Sequence, residues 1–169
     1  MITIGDKAPD FMLKGVLGNN VSEYSLNKDT ANNWLILFFY PADFSFVCPT
    51  ELRSFKKRYK DLDGTILWAI SVDNVDCHKK WINELGGLPF PLLSDVGGTI
   101  AKKYQSLGTD KKANRATFII DPDGIIQSCT IVTANVGRSV EETIRTLKAL
   151  QTGNLCPADW KPRDEDVSS

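Results

Sequence analysis

Residues 34–40 read Trp, Leu, Ile, Leu, Phe, Phe and Tyr, with no polar position to mark a solvent face. An apolar run of that kind predicts a strand buried on both sides. From Pro49 the pattern changes. Leu52, Phe55 and Tyr59 recur at three- and four-residue spacing, which predicts a helix over 49–60 with one buried stripe. The same reading gives strands over 66–72, 116–121 and 125–132, and helices over 75–85, 99–104 and 139–151. Asp121-Pro122-Asp123-Gly124 joins the last two strands as a tight hairpin, and Asp63-Gly64 closes the first helix. Residues 11–26 form an N-terminal hairpin that turns near Gly18-Asn19. Ser139 with Glu142 three positions on matches a capping box at the last helix.

The order is β-α-β-α followed by β-β-α. That order predicts an α/β protein on the thioredoxin plan, with an N-terminal β-hairpin extension and a central mixed sheet flanked by helices. Residues 1–162 are expected to make one domain, and 163–169, charged and small, a disordered tail.

Cys48 stands at the junction of the apolar strand and the helix. Pro49 suits a first helical position, and Glu51 suits the first turn. Cys48 therefore falls at or beside the N-cap, where unpaired N–H groups and the helix dipole favour an anion. A cysteine placed there is expected to ionise and act as a nucleophile. The competing reading is plain packing, the fate of most cysteines. Pro41 and Ser45 precede the sulfur, and Ser45 carries a hydroxyl able to bond something bound there. Tyr40, Phe44 and Phe46 could wall a small dry pocket.

Composition narrows the function. The net charge is −1, with 42% hydrophobic and 24% charged residues, so nothing favours nucleic acid or an anionic membrane. No apolar run approaches the ~20 residues of a membrane span, and no secretory signal is visible. A cytoplasmic protein is expected. The four cysteines, Cys48, Cys77, Cys129 and Cys156, contain no C-x-x-C, so a thioredoxin-type dithiol is not supported. With His78 the only histidine, no metal site and no cofactor are expected. His78 shares a face with Val75, Trp81, Ile82 and Leu85 and reads as structural.

Pro41-x-x-x-Ser45-x-x-Cys48 followed by Pro49-Thr50-Glu51 resembles the peroxidatic motif of peroxiredoxins of the typical two-cysteine class, which includes alkyl hydroperoxide reductase. Asn114-Arg115-Ala116-Thr117 resembles the segment with that family's active-site arginine, and Val136-Gly137-Arg138-Ser139 a further signature. Leu155-Cys156-Pro157-Ala158-Asp159-Trp160 resembles the resolving-cysteine segment. The resemblance implies a thiol peroxidase acting on hydrogen peroxide and organic hydroperoxides. Cys48 would become a sulfenic acid, and Cys156 of the partner subunit would resolve it as a disulfide. A thioredoxin-like or flavoprotein-linked reductant would reopen that disulfide. The working unit would be a homodimer, within a ring such as a decamer.

Ionisation alone is too small an effect. A free thiol near pKa ~8.5 is roughly 3% ionised at pH 7, so complete ionisation gains at most ~30-fold. The remainder must come from groups that align the peroxide and meet developing charge. Arg115 is the best candidate, with Ser45 and the N–H groups near Val47 and Cys48. Pro41 would shield the sulfur from water. Glu51 is expected to orient an arginine, and Arg138 to be that second arginine. Cys77 and Cys129 read as structural or incidental. A peroxide sensor or a holdase chaperone would use the same fold. Ser45 stands where threonine is commoner in the class. Gly86-Gly87-Leu88 runs into Pro89, and no Tyr-Phe pair follows Cys156. Peroxide-sensitive members of that family carry a further glycine in a longer loop and such a pair, both of which slow resolution, so the resemblance implies fast disulfide formation and resistance to overoxidation here.

Overall fold

The computed structural model describes residues 1–162; the expected tail at 163–169 lies outside the described residues. The chain divides into two compact units, Met1–Arg138 and the part from Ser139 onward.

The first unit is built on a seven-stranded mixed sheet. In chain order its strands are β1 (Met12–Leu17), β2 (Asn20–Ser25), β3 (Leu35–Phe39), β4 (Ile66–Ser71), β5 (Leu92–Ser94), β6 (Arg115–Ile120) and β7 (Ile126–Val132). In space they run β2-β1-β5-β4-β3-β6-β7. β3, β4 and β5 are mutually parallel, and β6 and β7 turn back antiparallel. This is the predicted plan, with the N-terminal hairpin added along one edge through β1 and β5.

The physics of β3 explains its unbroken apolar run. All five residues are buried, because the sheet is covered on both faces. Leu35, Leu37 and Phe39 point into one core with Phe11, Trp68, Tyr104 and Phe118. Phe38 points the other way and meets Phe55 edge-on, ring centroids 4.8 Å apart. Each such ring contributes roughly 1.5–3 kcal/mol when fully buried. The two-residue turn Gly18-Asn19 pairs Leu17 with Asn20, and Gly18 takes the positive φ of 61° that this tight turn requires.

Helices α1 (Leu26–Asp29), α2 (Cys48–Arg58), α3 (Val75–Glu84) and α4 (Thr99–Lys103) complete the first unit. Three elements depart from expectation. The single turn α1 was not predicted, because four residues are too few to show a helical period. β5 was not predicted, because three residues fenced by Pro89, Pro91 and Asp95 show no period. α2 begins one residue earlier than Pro49, so Cys48 is itself the first helical residue and Val47 the N-cap. The helix tightens into a 3-10 turn at Tyr59–Leu62.

The second unit contains α5 (Val140–Thr152) and the segment after it. Ser139 caps α5 by accepting from the Glu142 N–H at 3.1 Å. The reciprocal half of the box is not made, since the Glu142 carboxylate turns instead to Arg145.

Candidate active site

β3 ends at Phe39, and the loop 40–47 carries the chain across the end of the sheet to α2. Pro41 and Cys48 are buried, while Phe46 is 97% exposed and Phe44 about half exposed, at 52%. The expected pocket of aromatic walls is therefore not formed by these two rings: Phe46 points toward solvent, and Phe44 leans on Trp81, ring centroids 6.2 Å apart. Ser45 Oγ donates to Ala42 O at 3.0 Å, so its proton is spent on the loop and its lone pairs stay available.

Cys48, Glu51, Leu52 and Phe55 lie on one stripe of α2, and all four are buried. The i, i+3 spacing thus sets a carboxylate beside the sulfur inside the protein. Two arginines answer it. Arg115, first residue of β6, donates from Nη1 to Glu51 Oε1 at 2.6 Å and to Cys48 Sγ at 3.2 Å. Its Nε is anchored on Ala134 O at 2.8 Å. Arg138 reaches Glu51 Oε2 from Nε at 2.8 Å and Oε1 from Nη2 at 3.0 Å. Its backbone N–H donates to the same Oε2 at 2.8 Å. Its Nη1 ties to Ala116 O and Thr117 Oγ1 at 2.9 and 3.2 Å, and the guanidinium lies 3.4 Å over the Phe38 ring.

The three charged side chains are at most 3% exposed. Glu51 accepts four hydrogen bonds, which leaves it no capacity for proton transfer. Its two oxygens bond both arginines, where the sequence reading expected one. Burial pulls the Arg138 guanidinium below its ordinary pKa, and Glu51 works against that shift. Two guanidiniums against one carboxylate leave one positive charge in excess beside the sulfur. An anionic sulfur, or an anion developing on a bound reactant, would balance it.

Residues 4–129 match the AhpC/TSA family. The chain is 42% identical to a putative peroxiredoxin of Bacillus subtilis, YkuU, over 94% of each chain. It is 37% identical to alkyl hydroperoxide reductase C of Mycolicibacterium smegmatis, over 100% of this chain and 95% of that one. The chain is a peroxiredoxin of the AhpC/TSA family. Among solved structures, the reduced 2-Cys peroxiredoxin of Plasmodium vivax superposes with a TM-score of 0.90 at 33% identity, covering 96% of this chain and 91% of that one. Enterococcus faecalis AhpC gives 0.86 at 35%, covering 93% and 100%. As a peroxiredoxin the chain is a thiol-dependent peroxidase.

The other thiols of this peroxiredoxin differ in setting. All four cysteines are free. Burial, together with the Asp43 and Asp73 carboxylates, pushes the Cys77 thiol up to about 12, and burial raises Cys129. Neither is a ready nucleophile. Cys156 is half-buried in the second unit, just past the end of α5. Among the described residues, Asp43, Asp73 and Cys77 are the group that could converge on an ion. Asp43 is already taken by Tyr40 and His78, and the Cys77 proton would have to be displaced. No metal role is assigned to them.

Sequence reasoning missed what holds the loop. Asp43 is buried and accepts from the Tyr40 hydroxyl at 2.7 Å; its other oxygen lies 2.7 Å from His78 Nδ1. His78 Nε2 faces Leu93 O at 3.1 Å. Both neighbours of the imidazole are acceptors, so one proton must lie between His78 and Asp43, whichever carries it. Asp43 N–H also donates to Asp73 at 2.7 Å. His78, buried and bonded through both ring nitrogens, fits a structural part. It pins the loop bearing Pro41 and Ser45 to α3 and β5. The sequence signal was a lone carboxylate in a mostly apolar loop.

No helix among the described residues is long and apolar enough to cross a membrane.

Proposed function

We propose that Cys48 is the peroxidatic cysteine of a two-cysteine peroxidase cycle, with Cys156 as the resolving thiol. The observation that carries this is the 3.2 Å bond from Arg115 to the Cys48 sulfur, inside a buried cluster with one positive charge in excess. The Cys48 thiolate attacks the nearer oxygen of a hydroperoxide. The O–O bond breaks, sulfur is oxidised to the sulfenic acid, and the departing alkoxide or hydroxide takes a proton to leave as alcohol or water. Arg115 donates to the sulfur and to the oxygen under attack; its Nη2 has no partner among the described residues. Ser45 Oγ, whose proton is committed to Ala42, accepts from the peroxide O–H. Pro41 keeps water off the sulfur. Glu51 and Arg138 are positioning residues that hold Arg115.

Cys156 then attacks the sulfenic sulfur. The S–O bond breaks, a disulfide forms and water leaves. A thioredoxin-like or flavoprotein-linked dithiol reopens it by exchange, taking the oxidation onto its own sulfurs. Hydrogen peroxide and organic hydroperoxides are the substrates in this reading. The partner subunit supplies Cys156, within a homodimer that builds a ring such as a decamer. Residues 1–162 act together as one functional domain. Four free thiols suit the reducing cytoplasm.

The test treats reduced protein with one equivalent of hydrogen peroxide and reads intact mass without reductant. A covalent dimer linked Cys48 to Cys156, absent in Cys48→Ser and Cys156→Ser, is the expected result. A monomer carrying oxygen adducts would remove Cys156 from the cycle. An unchanged mass would remove Cys48.

A further inference from the structure

If Cys156 resolves the sulfenic acid, its segment must let go of α5 when it reacts. In the second unit that segment is fastened on both sides of the sulfur. Upstream, Gly153 ends α5 with φ 70°, and Thr152 Oγ1 donates to Ala149 O at 2.7 Å while accepting from Asn154 N at 3.1 Å. Cys156 Sγ sits in this knot, 3.6 Å from Thr152 Oγ1 and 3.8 Å from Ala149 O. Downstream, Trp160 N–H closes a turn onto Pro157 O at 3.1 Å, through Asp159 at a left-handed φ of 61°. A non-glycine residue held there is strained and persists only while its surroundings enforce it.

Arg145, on α5, reaches this turn. It donates from Nη1 to Trp160 O at 3.2 Å. Its other two nitrogens are held by Glu142, Nε to Oε2 at 2.6 Å and Nη2 to Oε1 at 2.7 Å. Glu142 in turn lies in the first turn of α5, its N–H capped by Ser139. The fork leaves Nη1 aimed at the carbonyl. Trp160 itself is 3% exposed, yet its Nε1–H meets no acceptor among the described residues. A buried donor without a partner offsets part of what burying the ring gains, and release into water would satisfy it. The segment is therefore held by the buried Trp160 ring and by its hydrogen bonds, and the Arg145 bond is one that ties its far end to α5.

We propose that Arg145 is a positioning residue for the resolving step. By latching the Trp160 carbonyl to α5, it sets how often the segment 154–160 opens and Cys156 becomes free to attack. This rests on the reading of Cys156 as the resolving thiol. The latch acts on the second chemical step and leaves the first alone. It thereby sets the balance between disulfide formation and further oxidation of the Cys48 sulfenic acid by a second peroxide.

The experiment compares wild type with Arg145→Ala, Arg145→Lys and Glu142→Gln. Arg145→Lys keeps the charge near Cys156 but loses the fork, which separates latching from simple electrostatics. Three quantities are read: the alkylation rate of Cys156 in reduced protein by N-ethylmaleimide, at peptide level; the rate of Cys48 oxidation by hydrogen peroxide; and the rate of Cys48–Cys156 disulfide formation after quenching. Both Arg145 variants are expected to raise the first and third by about 3- to 10-fold, the range the net contribution of one ordinary hydrogen bond spans, with the second unchanged. Glu142→Gln moves them the same way by less. More peroxide is then needed to reach sulfinic acid at Cys48. A wild-type disulfide whose rate the variants leave unchanged or lower overturns the latch alone. A wild type that forms no such disulfide overturns the resolving reading, and the latch with it, whatever the alkylation rates.

Discussion

At the residue scale the site turns on one guanidinium with three obligations. Arg115 must reach the Cys48 sulfur, Glu51 and Ala134 O together, and only a planar fork does so. Arg115→Lys keeps the charge and loses the geometry. The second-order rate of Cys48 oxidation, followed by stopped-flow tryptophan fluorescence, is expected to fall about 10²- to 10³-fold, as when one donor to a developing oxyanion is lost. A loss under tenfold would mean that charge alone suffices. The thiols give a second test. Cys77 is pushed up to about 12, so its reactive thiolate accumulates only as pH climbs toward that value. At pH 8 roughly one molecule in 10⁴ carries it. Cys77 should therefore be the last of the four to react with iodoacetamide in the native protein, gain reactivity steadily with pH, and lose its protection in guanidinium. Equal labelling of Cys77 and Cys156 at pH 8 would sink that account. Cys48, Glu51, Arg115 and Arg138 were all legible in the sequence because each sits in a local motif. The bond between Asp43 and His78 was not, since it joins a loop to a helix across 35 positions with no periodic pattern linking them.

At the element scale the question is what keeps loop 40–47 in place between β3 and α2. The loop has no regular hydrogen bonding of its own, so side chains must supply the restraint. Asp43 does this through Tyr40, His78 and Asp73, in a pocket where both members of the His78 pair are fully buried. Removing one member leaves the other desolvated and unpaired. Asp43→Ala is therefore expected to cost ~3–5 kcal/mol in denaturant unfolding, far more than its position in a loop suggests. A cost below 1 kcal/mol would mean that water or a rearranged loop satisfies His78. By contrast Ser139→Ala should cost about 1 kcal/mol, because its cap is exposed and has half of its box. Elements with a strong period were readable to within a residue or two. β5 was not, because three residues that follow two prolines carry no period. The start of α2 moved by one because proline is tolerated throughout the first helical turn, so Pro49 fixed the neighbourhood of Cys48 but not its place within it.

At the scale of the whole molecule, the sheet ends in β7, whose outer edge is paired among the described residues only at its start, where Ile126 bonds Gly5 and Asp6, and carries Ile131 further along at 45% exposure. An open edge of this kind invites a second copy. The proposed cycle needs one if Cys48 and Cys156 act between subunits, and a mixing experiment decides it. Cys48→Ser retains Cys156, and Cys156→Ser retains Cys48, so neither variant alone can form the Cys48–Cys156 disulfide. Mixed and allowed to exchange subunits, they give hybrid dimers with one competent pair. If the pair lies across the interface, hydrogen peroxide should crosslink those hybrids on a non-reducing gel, in no more than half of the dimers at equal mixing. Were the disulfide formed within one chain, no hybrid could make it, and the mixture would stay as uncrosslinked as either variant. Ile131→Lys in both partners sharpens the result. A charge on the open edge should weaken assembly and lower hybrid crosslinking at micromolar protein, and raising the concentration should restore it. That dependence follows from mass action on an interface and cannot arise from a damaged active site.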